Sequence, residues 1–153
     1  PYVAFSQVQD YLRSGKYQFQ EKKYIEAIVD FSEAIRLDTQ NDEAYYSRAL
    51  AYIRMQNFQK ALLDIQQAIH LKKDKAIYFI ERGKIYFELK NYEKAVQDLS
   101  QAIFLEPEKA HSYSIRALVR LALQDYEGAL QDSEKSLKID STITQSYAEQ
   151  GIA

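Results

Sequence analysis

Two charged series are the first residues in this sequence whose types and spacing could do chemistry. Arg48, Arg82 and Arg116 recur every 34 residues, and so do Asp30, Asp64, Asp98 and Asp132. A guanidinium fork presents parallel N–H donors that match the two oxygens of a carboxylate. Two pairings are open. Pairing within a repeat joins Arg48 to Asp64 and leaves Asp30 beside Ser14. Pairing across repeats joins Asp30 to Arg48, Asp64 to Arg82 and Asp98 to Arg116, and leaves Asp132 facing Gln150. The second scheme is the expected one. Its pairs would set register between repeats, because desolvation offsets much of the attraction.

Catalytic groups are otherwise sparse. His70 and His111 are the two histidines, and they fall in different repeats. The chain has no cysteine, which excludes disulfides, thiolate catalysis and cysteine-based zinc sites. HExxH, GxSxG, GxGxxG and the phosphate-cradling GxxxxGK pattern are all absent. The expected place for His70 is a solvated position near the carbonyl end of a helix, and for His111 the edge of a groove. Most carboxylates occupy solvated helix positions. The expectation is a non-enzyme with no metal and no cofactor.

Bulk properties narrow the partners. There are 20 basic and 22 acidic residues, so no basic stripe is available to track phosphates, and no nucleic acid is expected. No apolar run approaches the roughly 18 residues of a spanning helix, and no polybasic block offers a membrane anchor. Hydrophobic residues make up 46% of 153 residues, enough for one compact domain or a short repeat array. The lack of cysteine fits a reducing, cytoplasmic setting. The sequence starts at Pro1 and stops inside a repeat, as a fragment of a longer protein would.

The elements that must position these residues follow from the same period. Ala27, Ala61, Ala95 and Ala129 stand 34 apart, followed by Ala34, Ala68, Ala102 and Ser136. Gly15, Ala49, Gly83, Ala117 and Gly151 form a small-residue series. Aromatics precede them at Tyr11, Tyr45, Phe79, Tyr113 and Tyr147, and a further aromatic series runs Tyr24, Phe58, Tyr92 and Tyr126. Apolar spacing inside each unit is helical. With 4 glycines and 2 prolines, the chain reads as all-α. First helices are expected near 7–20, 42–55, 76–89, 110–123 and 144–153, and second helices near 24–37, 58–71, 92–105 and 126–139. Polar turns such as Lys90-Asn91 and Glu106-Pro107 divide them, with asparagine supplying left-handed backbone. A lone hairpin cannot bury both faces, so the units must stack.

This pattern resembles the tetratricopeptide repeat. In the third unit Phe79, Gly83, Tyr86, Ala95, Leu99, Ala102 and Pro107 match the family's order of aromatic, small, aromatic, alanine, large apolar, alanine and proline. The resemblance divides the chain into an N-terminal extension (1–7), repeats at 8–41, 42–75, 76–109 and 110–143, and a fifth first helix or capping helix at 144–153. The fourth repeat departs most, with Arg120, Ser133 and Ser136 at family positions that are usually aromatic, large apolar and alanine. Those serines are expected to thin the contact with the helix from Thr144. The fold implied is an all-α, right-handed solenoid of antiparallel hairpins whose first helices line a concave groove.

Carried over by register, the groove comprises Leu12, Lys16, Phe19, Tyr46, Leu50, Ile53, Arg54, Ile77, Ile80, Lys84, Phe87, His111, Leu118 and Leu121. One subfamily clamps the C-terminal carboxylate of chaperones with lysine, asparagine and arginine side chains. In register this sequence has Leu12, Lys16, Ser47, Ile77 and Glu81, or one repeat later Tyr46, Leu50, Glu81, His111 and Ile115. Neither frame supplies the set, so no chaperone-tail clamp is expected. The apolar wall instead implies an adaptor or scaffold for an apolar or amphipathic peptide or helix. The alternative is a groove filled from within, by a flanking segment or by a second copy in a homo-oligomer.

Overall fold

The computed structural model describes the backbone of residues 2–149 and the side chains of residues 6–141. Among the described residues there are eight helices and no strand: α1 (Tyr2–Gln20), α2 (Tyr24–Leu37), α3 (Asp42–Arg54), α4 (Phe58–Leu71), α5 (Ala76–Glu88), α6 (Tyr92–Leu105), α7 (Ala110–Ala122) and α8 (Tyr126–Glu149). They form two compact units, Pro1–Asp74 and Lys75–Ala153. In the first unit, α1 packs on α2, α3 on α4, α2 on α3, and α1 touches α3. The second unit repeats this arrangement with α5 to α8. The architecture is all-α, hairpin stacked on hairpin, as a solenoid requires.

The turn within each hairpin is built from two adjacent residues with separate tasks. Lys22, Gln56, Lys90 and Gln124 take positive φ, between 58° and 62°. Each helix closes through paired bonds such as Lys90 N–H to Phe87 O and Asn91 N–H to Tyr86 O, which satisfy carbonyls that the helix end would orphan. The left-handed residue is therefore Lys90, where the sequence placed it on asparagine. Asn91, at φ −94° and ψ 73°, opens the next helix, its side chain accepting from the Lys94 N–H. Asn57 does the same for Lys60, and the Asp125 carboxylate for Gly128.

Small and large residues alternate across each hairpin. A methyl group added to Gly15 would lie 2.6 Å from the Phe31 ring, and one added to Gly83 would lie 3.1 Å from Leu99. The two hairpins with alanine at this position, Ala49 and Ala117, carry Ile65 and Ser133 at the matching place, both smaller than Phe31. The bulkiest of these partners, Phe31, thus faces a glycine, as close packing demands. In the first unit Val8, Leu12, Ala27, Phe31, Ala34, Ile35 and Ala44 form one buried cluster.

At the C-terminal end the expected break is absent. The sequence places one helix at 126–139 and another at 144–153, but α8 continues through residues 140–143 to Glu149. Ser141 bonds back to the Leu137 carbonyl, inside a continuous helix. Gly151 and Gln150 lie outside the described residues.

Candidate functional site

The arginine series pairs within hairpins, which overturns the expected scheme. Arg48 donates from Nε and Nη2 to both oxygens of Asp64, at 2.8 and 2.7 Å. Arg82 binds Asp98 in the same way at 2.7 Å, and Arg116 binds Asp132 at 2.8 and 2.6 Å. All three carboxylates are buried. The reason is geometric: in an antiparallel hairpin the arginine of the first helix and the aspartate of the second lie at the same height and face inward. Asp30, facing Ser14, receives a hydroxyl hydrogen bond of 2.6 Å. The remaining guanidinium nitrogen does reach the preceding hairpin, at Ser32 for Arg48 (3.0 Å) and at Ser100 for Arg116 (2.9 Å). Each guanidinium also lies over an aromatic ring: Arg48 over Tyr45, Arg82 over Phe79 and Arg116 over Tyr113, at 5.7–5.9 Å. The hydrogen bond with Asp64 holds the Arg48 guanidinium above its ordinary pKa despite desolvation, and Asp98 does the same for Arg82. These arginines are committed to the scaffold.

The fourth hairpin is rebuilt rather than weakened. In the second and third hairpins a lysine lies over the aromatic ring, Lys60 over Tyr52 and Lys94 over Tyr86. Arg120 replaces that aromatic and Gly128 replaces the lysine. Arg120 Nη1 donates to the Gly128 carbonyl at 2.9 Å and pairs with Asp132 at 3.1 Å. Asp132, expected to be the unpaired member of its series, therefore meets two arginines. Ser136 is buried, bonds the Ala110 carbonyl at 3.1 Å and lies 2.7 Å from the Ser114 hydroxyl. Both contacts are with α7.

The groove residues divide into three groups. Leu12 and Ile80 are 2% and 0% exposed, so both belong to the core and are corrected out of the wall. Leu118 and Leu121 are 60% and 50% exposed on α7, with His111 exposed on the same helix. Ile53, Ile77, Lys84 and Phe87 are half-buried. Lys84 is tied to Glu81 at 2.9 Å, and Phe87 packs against Tyr92 with ring centres 5.6 Å apart. His70 is exposed in the last turn of α4.

In the first unit the structure gathers the remaining residues into a cleft of about 270 Å³. Lys16, Phe19, Gln20, Phe31, Glu43, Tyr46, Ser47 and Leu50 line it. The Lys16 ammonium binds the Glu43 carboxylate at 2.5 Å, joining α1 to α3 beside apolar walls. Arg54 lies over the Phe19 ring at 5.9 Å, and Tyr24 meets that ring edge-on at 5.5 Å. Sequence register missed Phe31 and Ser47. The signal for Phe31 was Gly15, the residue whose missing side chain admits the ring. Among the described residues no cluster of three or more histidine, aspartate or glutamate side chains is placed to hold a metal ion. No described helix is long and apolar enough to cross a membrane.

Comparison with known proteins decides the family. Residues 48–120 match the model described as tetratricopeptide repeat, and residues 15–56 match one described as TPR repeat. The chain belongs to the tetratricopeptide repeat family. Solved TPR structures align over most of it. The crystal structure of MamA superposes with a TM-score of 0.87 at 23% identity, covering 90% of this chain and 81% of that one. MamA residues 41 to the end from Desulfovibrio magneticus RS-1 give 0.83 at 16% identity, covering 88% and 76%. The second TPR domain of human RPAP3, solved in complex with the HSP70 peptide SGPTIEEVD, gives 0.73 at 27% identity, covering 76% and 98%. No curated protein matches the sequence. Within this TPR chain the cleft between α1 and α3 is the candidate binding site.

Proposed function

We propose that this TPR chain is a protein-interaction scaffold whose first unit holds an apolar side chain of an amphipathic peptide or helix. The cleft at Phe19, Tyr46 and Leu50 carries the proposal. Its volume, about 270 Å³, falls just below the roughly 300–1,000 Å³ of sites that enclose a drug-sized molecule, so it suits a side chain. The Lys16–Glu43 pair gives it a polar rim on which the polar face of the peptide would rest. The apolar Leu118 and Leu121 give α7 a second surface of similar chemistry. The second TPR domain of RPAP3 was solved with the HSP70 peptide SGPTIEEVD, which carries two glutamates and an aspartate. Here Lys16 is already neutralised by Glu43, and Leu12 is buried where the clamp needs lysine, so an acidic carboxylate tail is disfavoured.

Selection of displayed peptides against the chain tests this reading. Selected peptides should carry leucine, isoleucine or phenylalanine anchors and lose affinity roughly tenfold or more for the Leu50→Asp variant. Peptides that bind that variant unchanged, or that all end in an acidic tail, would refute it. Self-association is the second reading. Leu130 and Leu137 on α8 are 60% and 67% exposed, whereas Val96 and Ile103, one repeat earlier, are half-buried. Light scattering that shows a dimer which Leu137→Asp dissolves would favour it.

A further inference from the structure

The first hairpin differs from the other three at one inward position. Where they carry Arg48, Arg82 and Arg116, it carries Ser14. The shorter side chain leaves a pocket of about 330 Å³ lined by Gln7, Asp10, Tyr11, Ser14 and Asp30. Two parts of the site that holds a guanidinium elsewhere in the chain are already in place. Asp30 is the counterpart of Asp64, Asp98 and Asp132, each of which accepts two guanidinium hydrogen bonds of 2.6–2.8 Å. Tyr11 is the counterpart of Tyr45, Phe79 and Tyr113, the rings over which those guanidiniums lie. The half-buried Asp30 accepts one hydrogen bond from Ser14, at Oδ2. Asp10 adds a second carboxylate, and the nearby Arg13 pairs with it at 2.9 Å on the exposed side of α1.

We propose that this pocket is a receptor for a guanidinium group, the head of an arginine side chain carried by a docking protein or peptide. Three copies of the same constellation in the same molecule already bind that group, which specifies the ligand more narrowly than negative charge would. A planar cation can bridge Asp30 and lie over Tyr11, whereas a lysine ammonium lacks the fork. The site is distinct from the α1–α3 cleft. At 3.6 residues per turn, Gln7, Tyr11 and Ser14 occupy one side of α1, and Lys16, Phe19 and Gln20 the opposite side.

Methylguanidinium titrated into the isotope-labelled chain tests the assignment, read from the backbone amides of Tyr11, Ser14 and Asp30. Saturable shifts confined to this pocket are expected, and roughly tenfold or greater loss of affinity in Asp30→Asn. Ser14→Arg should supply the group internally, abolish the response and raise the unfolding midpoint. N-acetyl-arginine methylamide should bind like methylguanidinium, and N-acetyl-lysine methylamide more weakly. Equal binding of the lysine and arginine probes would reduce the site to an acidic patch and overturn the proposal. Shifts that fail to saturate, or that persist in Asp30→Asn, would do the same even if Ser14→Arg did not fold. Leu50→Asp should leave this titration unchanged, so failure of the cleft reading and failure of this one are separable.

Discussion

Arg82 and Asp98 stand sixteen residues apart and close one hairpin upon itself, with Nε and Nη2 each 2.7 Å from a carboxylate oxygen. The carboxylate is buried, so removing one partner leaves a charge with little solvent to turn to. Arg82→Gln or Asp98→Asn alone should cost about 3 kcal/mol or somewhat more. The double variant should cost less than their sum, with a coupling of roughly 1–3 kcal/mol in urea denaturation. Asp98→Asn combined with Arg116→Gln should be close to additive. Strong coupling in that second pair would restore the scheme of pairing across repeats.

Arg120 and Gly128 form a matched exchange for the aromatic and lysine of the preceding hairpins. A methyl group at Gly128 would lie 2.3 Å from Asp125 Oδ2 and 2.9 Å from Arg120 Nη1. Gly128→Ala should therefore destabilise by about 1–2 kcal/mol, despite the roughly 1 kcal/mol that alanine gains in a helix. Arg120→Tyr should strand part of the Asp132 environment. The double variant Arg120→Tyr, Gly128→Lys rebuilds the arrangement of Tyr86 and Lys94, and its melting temperature should exceed that of Arg120→Tyr alone.

Left-handed backbone at Gln56 and Lys90 is carried by residues that adopt it at a cost. Gln56→Gly and Lys90→Gly should each stabilise the fold by about 0.5–1 kcal/mol, because the side chain no longer crowds the following carbonyl. One residue on, Asn57→Ala and Asn91→Ala should each lose about 1 kcal/mol with the helix cap. Denaturation midpoints moving in opposite directions at adjacent residues would verify this division of labour. Equal destabilisation at both would contradict it.

Repeat register assigns both Leu12, the counterpart of Ser114, and Leu118, the counterpart of Lys16, to the wall, and burial separates them. Leu12→Ala should cost about 2–5 kcal/mol through the cavity it opens. Leu118→Ala should fall within about 0.5 kcal/mol of the parent. A binding assay should reverse the order of interest, since the exposed leucine is the one able to touch a partner.

Much of this protein is legible in its sequence alone. The 34-residue period, the all-α class and the positions of most helices follow from local rules. Helical spacing is set by 3.6 residues per turn, and a hairpin can nest closely only where a side chain is missing. Even the candidate cleft is partly visible, because Lys16, Phe19, Tyr46 and Leu50 fall on faces that the repeat register identifies.

Tertiary structure decided what register leaves degenerate. An aspartate on a second helix has one arginine behind it in its own hairpin and another ahead in the next. Both are at plausible separations in sequence, and the height at which antiparallel helices cross selected the first. Leu12 and Ile80 lie near the boundary between wall and core, where a small rotation of the helix decides whether a side chain meets solvent or a neighbour. The sequence from Tyr126 onward could either turn near Asp140 or continue. The helix continued, through residues 140–143 to Glu149. The pocket beside Asp30 needed both sources: the sequence showed that Ser14 broke the arginine series, and the fold showed that the break leaves room for a guanidinium.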